Sequence, residues 1–510
     1  MPDIILTTLN AKFIHAAFGL RYLFANLGEL QPRAVIAEFD INLRPLDIAE
    51  ALLAREPEII GFGIYIWNVT QTTEVISAIR RIRPEIKIIL GGPEVSYETE
   101  GQKIVGLANH VITGEADLKF AELCRELLAA DLKALPKIIP AEPPDFSRIA
   151  LPYEFYTDAD IAHRIVYVEA SRGCPFTCEF CLSSLDIPVR QVPLEKFFAA
   201  MQRLMERGLK QFKFVDRTFN LNSATSKALL EFFLARHQTG MFYHFEMIPD
   251  RLPAELREII ARFPAGSLQF EVGIQTFNPE VGSLISRRQN YERMADNFYF
   301  LRSETSVHIH ADLIIGLPGE TLESFAAGFD KLITMGPQEI QVGILKRLRG
   351  TPIIRHDAEW QMVYNEHPPY DILQNKLIDF ATMQQLRRFA RYWDLVGNSG
   401  NFVATAPLIW SHDASPFINF LRFSDWLFAK IHRTDSIALA RLMELLFEFL
   451  TRELNRDAKS VAETFWRDCQ RTGRRDAPNF LREFLPEENR SVIRDRDRSL
   501  PKRQAKHLTA

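Results

Sequence analysis

Apolar runs of strand length alternate with helical periodicity along this chain, twice over, on either side of a proline-rich stretch. In the first series the apolar runs fall at 4–6, 35–39, 59–66, 86–90 and 111–112, with helices expected over 19–27, 72–82 and 117–129. This alternation builds an open, doubly wound parallel sheet of Rossmann-like type. Gly61, Gly63, Gly91, Gly92 and Gly114 lie at or just beyond strand ends, where such sheets bind ligands. Any one of them also fits an ordinary tight turn.

Residues 133–152 contain Pro136, Pro140, Pro143, Pro144 and Pro152, which reads as an extended linker. The second series follows, with strands expected at 165–169, 212–215, 243–247, 268–274, 307–315 and 339–344. Six βα units make a partial (β/α)6 barrel of the TIM type, with chemistry at the C-terminal ends of the strands. Beyond about 350 the strand signal fades. Leu439, Leu442, Met443, Leu446, Phe449 and Leu450 then recur at helical spacing, so the third region is mainly helical. From Glu487 charge dominates, and a disordered tail is expected. The expected boundaries are therefore a sheet domain over 1–132, a linker over 133–160, a barrel over 161–350, a helical domain over 351–486 and a tail over 487–510. A chain of 510 residues accommodates three domains.

With 61 basic against 65 acidic residues, a formal charge of −4, there is no basic excess of the kind phosphate-backbone binding needs, so nucleic acid is not an expected partner. Residues 1–13 show no export signal, which leads to an expected cytoplasmic location. The most apolar stretches, 59–67 and 309–317, fall short of the ~20 residues a membrane span requires, and no membrane partner is expected.

Three of the five cysteines fall in Ser171-Arg-Gly-Cys174-Pro-Phe-Thr-Cys178-Glu-Phe-Cys181, directly after an expected strand. Clustering of this kind points to metal rather than disulfides, and thiolates suit iron–sulfur iron. Three ligands on a four-iron cube leave one iron open. Structural zinc wants a closed shell of four, and the nearest downstream histidine is His237. Cys124 and Cys469, isolated in helical sequence, read as small buried hydrophobes.

C-x3-C-x2-C after the first strand of a six-fold βα series resembles the radical S-adenosylmethionine enzymes. The resemblance implies a 4Fe-4S cluster on Cys174, Cys178 and Cys181, whose open iron chelates the methionine amino and carboxylate groups of S-adenosylmethionine. An electron then cleaves the sulfonium to a 5'-deoxyadenosyl radical, supplied by a low-potential donor of flavodoxin or ferredoxin type. Phe180 sits where that family often places an aromatic against adenine. Ala311-Asp-Leu-Ile-Ile-Gly-Leu-Pro-Gly-Glu320 looks like the family's fifth-strand motif, whose turn, with Gly316 and Gly319, passes beneath the adenine. Glu271, Gln275 and Arg287 resemble positions that hold the ribose and the methionine carboxylate. The second strand ends Val215-Asp-Arg-Thr-Phe-Asn220 in place of Gly-Gly-Glu, which makes Asp216 the candidate for the methionine amine.

The first domain, with Gly61-Phe-Gly63-Ile-Tyr65-Ile-Trp67-Asn68, Leu90-Gly91-Gly92-Pro93-Glu94 and Thr113-Gly114-Glu115-Ala-Asp117, looks like the cobalamin-binding fold of B12-dependent radical relatives. Those glycines with Tyr65, Trp67, Asn68, Glu94 and Glu115 are the implied cobalamin contacts. Asp-x-His-x-x-Gly is missing after the first strand and His15 is at the wrong spacing, so no histidine on cobalt is expected. The helical region resembles an uncharacterised domain attached to some of these proteins. The implied activity is methyl transfer to an unactivated carbon of a small-molecule or peptide substrate. Radical ring closure or rearrangement is the alternative among enzymes, and a cobalamin or redox sensor the alternative of another class. Methylthio transfer usually needs further cluster cysteines and is disfavoured.

Overall fold

The computed structural model describes residues 2–129, 134–411, 415–474, 476–486 and 502–507. Two compact units divide the chain: Met1–Arg217 with Lys346–Ile354 and Asn365–Asp371, and Thr218–Leu345 with Arg355–Tyr364 and Ile372–Ala510.

In the first unit, β1 (Ile4–Asn10), β2 (Ala34–Asp40), β3 (Ile59–Gly63), β4 (Lys87–Gly91), β5 (His110–Gly114) and β6 (Ile138–Ala141) form a parallel sheet in the order β2-β1-β3-β4-β5-β6. Alternate side chains serve opposite faces. Ile5, Leu9, Ile60 and Phe62 pack with Val75, Ile76 and Ile79, whereas Ile4, Leu6, Ile59 and Ile112 pack with Leu20, Phe120 and Leu123. Both faces are covered, which is why the strands read as continuous apolar runs. The order reverses between β1 and β3, and a crevice opens at such a switch point beyond the strands' C-terminal ends.

β6 lies inside the stretch expected to be a linker. It is the edge strand, where a proline costs no ladder bond on the open side, and Pro140 stands opposite Thr113 of β5. The expected boundary at 132–133 lies outside the described residues.

The same unit contains β7 (Val166–Val168) and β10 (Gln211–Phe214), paired in parallel, and between them a hairpin of β8 (Ser171–Arg172) and β9 (Arg190–Gln191). In the second unit, β11 (Phe242–Met247), β12 (Leu268–Gln275), β13 (His308–Ile315) and β14 (Glu339–Ile344) run parallel in the order β14-β13-β12-β11. All six strands expected of the barrel are thus formed. Asn222, Asn290 and Thr321 cap the helices Ser223–Ala235, Tyr291–Ser303 and Leu322–Met335 through their side-chain oxygens.

The third region is helical, with Phe380–Val396, Pro416–Ile431, Leu439–Glu448 and Ala458–Arg471. A short hairpin of β15 (Val363–Tyr364) and β16 (Ile372–Gln374) precedes these helices. Of the tail expected to be disordered, 487–501 and 508–510 lie outside the described residues. Lys502–His507 instead form a helix: Arg503 pairs with Glu339 and Asp394, each at 2.8 Å, and partnered charge has no reason to stay solvated. Among the described residues no helix is long and apolar enough to cross a membrane.

Candidate functional site

The three clustered cysteines share one loop, residues 173–189, whose ends are drawn together by the β8–β9 hairpin, with Arg172 opposite Arg190. Gly173, at φ +91°, makes the loop possible, because a Cβ there would fall 2.7 Å from the Asp186 carbonyl and 2.9 Å from that of Pro188. The next amide, of Cys174, donates to Asp186 O at 3.0 Å, and that of Cys181 donates to Cys178 O at 3.1 Å. Cys174 and Cys178 are buried, while Cys181 and Phe180 are half-buried. Among the described residues no three His, Cys, Asp or Glu side chains converge on a single-ion site. Ligands to three separate irons of a cube need no common centre, and a set of three clustered cysteines suits such a cluster better than the four-ligand closed shell of structural zinc.

Asp216, just after β10, is buried and accepts from the Ala170 amide at 3.0 Å and the Ser171 hydroxyl at 2.6 Å. Burial pushes its carboxyl up to about 7, with the Ser171 bond opposing.

A cavity of about 380 Å³ opens beyond β3, β4 and β5, and Gly61, Gly63, Tyr65, Gly91, Gly92, Gly114 and Glu115 all line it. Trp67, Asn68 and Glu94 do not line it. Asn68 is a staple: its amide donates to Thr8 Oγ1, Leu9 O and Gly63 O at 3.0–3.1 Å, and its oxygen accepts from the Tyr65 amide at 2.9 Å. Trp67 stacks on Tyr65, with centroids 4.4 Å apart, and Glu94 is held by Arg349 Nε at 2.9 Å and by the Tyr370 hydroxyl. His15 also stays outside the cavity, bonded to Tyr167 Oη at 2.7 Å. The remaining wall mixes apolar residues such as Phe120 and Ile112 with Asp117, Glu169, Arg172 and Asp186. Sequence reasoning did not assign these four charged residues to the groove. The visible signal for two of them was Asp117 three residues after Gly114, and Arg172 beside the cysteine motif.

In the second unit, Arg287 and Gln275 approach Gly273 near the end of β12, the strand that also carries Glu271. The Gly273 carbonyl accepts from Arg287 Nη2, and a Cβ on Gly273 would lie 2.5 Å from the Gln275 amide nitrogen. The β12–β13 register shifts at this point. Glu271 lies 3.2 Å from His244 Nε2. Asp312, opposite Gly273, is a further member of this face. Burial, followed by the charges of Glu271 and Glu246, pushes its carboxyl well above the usual range. Asp312 Oδ1 and His310 Nε2, 3.6 Å apart, are buried without a hydrogen-bond partner among the described residues, which leaves capacity for a polar ligand. The turn after β13 is packed from behind: a Cβ at Gly316 would lie 2.7 Å from Ile372, and one at Gly319 would lie 2.7 Å from Leu284.

Against known proteins, residues 4–124 match the family described as the B12 binding domain, residues 168–332 the Radical SAM superfamily, and residues 358–506 a protein of unknown function, DUF4080. An uncharacterized methyltransferase of Pyrococcus horikoshii is 25% identical over 332 residues, 61% of this chain and 71% of the relative. A ribosomal protein uS12 methylthiotransferase of Pelobacter propionicus is 24% identical over 194 residues, 36% of this chain and 43% of the relative, so the chain spans less than half of that protein. Among solved structures, the radical S-adenosylmethionine methyltransferase TsrM of Kitasatospora setae superposes with a TM-score of 0.58 at 17% identity, covering 75% of this chain and 81% of that one. The cobalamin-dependent S-adenosylmethionine radical enzyme OxsB gives 0.61 at 12% identity, covering 92% and 80%. At these identities the structural likenesses carry the fold.

A B12 binding domain followed by a radical S-adenosylmethionine domain makes this chain a cobalamin-dependent radical S-adenosylmethionine enzyme. Its C-terminal region, residues 358–506, matches DUF4080, a protein of unknown function. The cofactors of the class are a 4Fe-4S cluster, S-adenosylmethionine and cobalamin.

Proposed function

We propose that the enzyme transfers a methyl group to an unactivated carbon, of a small molecule or a peptide. The observation that carries this reading is the contiguity of groove and cysteine loop in one unit: Asp186 lines the cavity, and its carbonyl accepts the amide of Cys174. The methyltransferase names of the Pyrococcus relative and of TsrM support it. When bound, the cluster supplies the electron that cleaves S-adenosylmethionine, and cobalamin supplies the methyl group.

The chain's own part is to bind and orient. Cys174, Cys178 and Cys181 hold the cluster, and the glycine-lined cavity holds the cobalamin tail. Arg287 pairs with the methionine carboxylate through its planar fork. Glu271 and Gln275 take the ribose hydroxyls and the Gly316–Gly319 turn takes the adenine; Phe180, beside the cysteines, is a separate aromatic candidate for an adenine contact. Asp216, beside the cysteine loop and engaged by Ala170 and Ser171, takes the methionine amine. A low-potential flavodoxin or ferredoxin delivers the electron. Cys124 and Cys469 are buried in separate helices, and burial pushes each thiol up to about 12, so neither suits a second cluster of the kind methylthio transfer uses.

A methylating enzyme of this type uses S-adenosylmethionine in two ways, leaving S-adenosylhomocysteine from methyl supply and 5'-deoxyadenosine from radical formation. Anaerobic turnover should therefore accumulate both in proportion to product. Deoxyadenosine without matching S-adenosylhomocysteine would remove methyl transfer and favour ring chemistry.

A further inference from the structure

We infer that Arg172 and Arg190 couple the cobalamin groove to the cluster loop, so that the two cofactors bind cooperatively. The inference rests on the cofactor assignments above. Arg172 stands two residues before Cys174 on β8, and Arg190 stands opposite it on β9. Arg172 donates to Glu115 Oε2 at 2.8 Å, to Asp117 Oδ2 and Oδ1 at 2.9 and 3.0 Å, and to Glu169 Oε1 at 2.9 Å. Its guanidinium also lies over the rings of Tyr22 and Phe146, 4.5 and 5.1 Å from their centroids. Arg190 donates to Glu115 and, at 2.8 Å, to Asp186 Oδ1.

The clasp is largely enclosed: the side chains of Arg172, Glu115, Asp117 and Glu169 are 16, 19, 7 and 6% exposed. A planar fork with its donors engaged this deeply has little freedom to shift, and losing one partner leaves a charge uncompensated. Glu115, resembling a cobalamin contact in the sequence, is the hub of this network.

Glu115, Asp117, Glu169, Arg172 and Asp186 line the cavity as well as forming the clasp. Whatever fills the cavity therefore touches the side chains that hold the base of the cysteine loop. The last link is covalently short: Arg190 fixes the Asp186 carboxylate, and the Asp186 carbonyl accepts the Cys174 amide. A cluster on the loop and cobalamin in the groove favour the same clasp arrangement, and two ligands that favour one arrangement must strengthen each other reciprocally.

The test is an anaerobic titration of the full-length protein with aquacobalamin, followed by absorbance, before and after cluster reconstitution. Wild type should bind at least about fivefold tighter with the cluster present, the lower end of typical coupling. In Glu115→Gln and in the milder Arg190→Gln the ratio should fall towards one. A merely structural role would weaken both forms alike and leave the ratio unchanged, which would overturn the inference. A wild-type ratio of one would overturn it too. Failure of wild type to bind cobalamin in either form would instead sink the cofactor assignment, and the coupling with it.

Discussion

Adjacent glycines of the groove, Gly91 and Gly92, have different physical roles. Gly92 is at φ +109°, and a Cβ on it would lie 2.5 Å from Ile64 O, so any side chain strains the turn itself. A Cβ on Gly91 would meet nothing nearer than 3.8 Å, yet Gly91 lines the cavity. Gly91→Leu should therefore lower cobalamin affinity while leaving the thermal midpoint near that of wild type. Gly92→Leu should instead lower stability, by about 1–3 kcal/mol. Cobalamin titration beside thermal melts separates the two effects. For the cysteines, single replacement of Cys174, Cys178 or Cys181 by Ala should abolish 5'-deoxyadenosine formation, because a cube short of thiolates loses iron or its potential. Wild-type cleavage in any one of these variants would overturn their assignment. Glu94, Glu115 and Asn68 were legible as residues of ligand-binding turns, but their partners were not. Arg349, Arg172, Arg190 and Thr8 are remote in sequence, and no local pattern pairs a carboxylate with a guanidinium dozens of residues away.

Among the elements, the turn that follows β13 is clamped from two sides. Glu320 accepts from Thr276 Oγ1 at 2.7 Å and Ser324 Oγ at 3.1 Å, which ties the turn to the end of β12. Ile372 of β16 and Met383 of the following helix cover its other side. Burial raises the Glu320 carboxyl to about 7 from 4.5, with the two hydroxyl bonds opposing. The folded state holds this proton more tightly than the unfolded chain, so the contribution is fully present below about pH 4.5. It is lost as the pH rises towards 7. Glu320→Gln should flatten that dependence, by up to about 3 kcal/mol between pH 5 and 8, read from urea midpoints. Equal pH dependence in wild type and variant would show that Glu320 titrates normally. β6 shows why one element escaped the sequence: five prolines over 133–152 read as a linker, but the edge position spares Pro140 a missing donor.

For the molecule as a whole, the class of fold and the chemistry on offer were already written in the order of the residues. Apolar periodicity is written by burial on one or both faces of each strand and helix, and the cysteine spacing is set within one loop. Both are local properties, and the six barrel strands stand where that pattern put them. Tertiary structure alone decided which candidate residues reach the groove and which hold the fold together. Asn68 became a staple, Glu94 an anchor for Arg349, and Glu115 the hub of a clasp. It also decided that the last described helix pairs its charge, through Arg503, with Glu339 and Asp394. The physical reason is the same in each case: a buried charge or amide must find partners, and those partners come from wherever the chain returns in space, which periodicity does not encode.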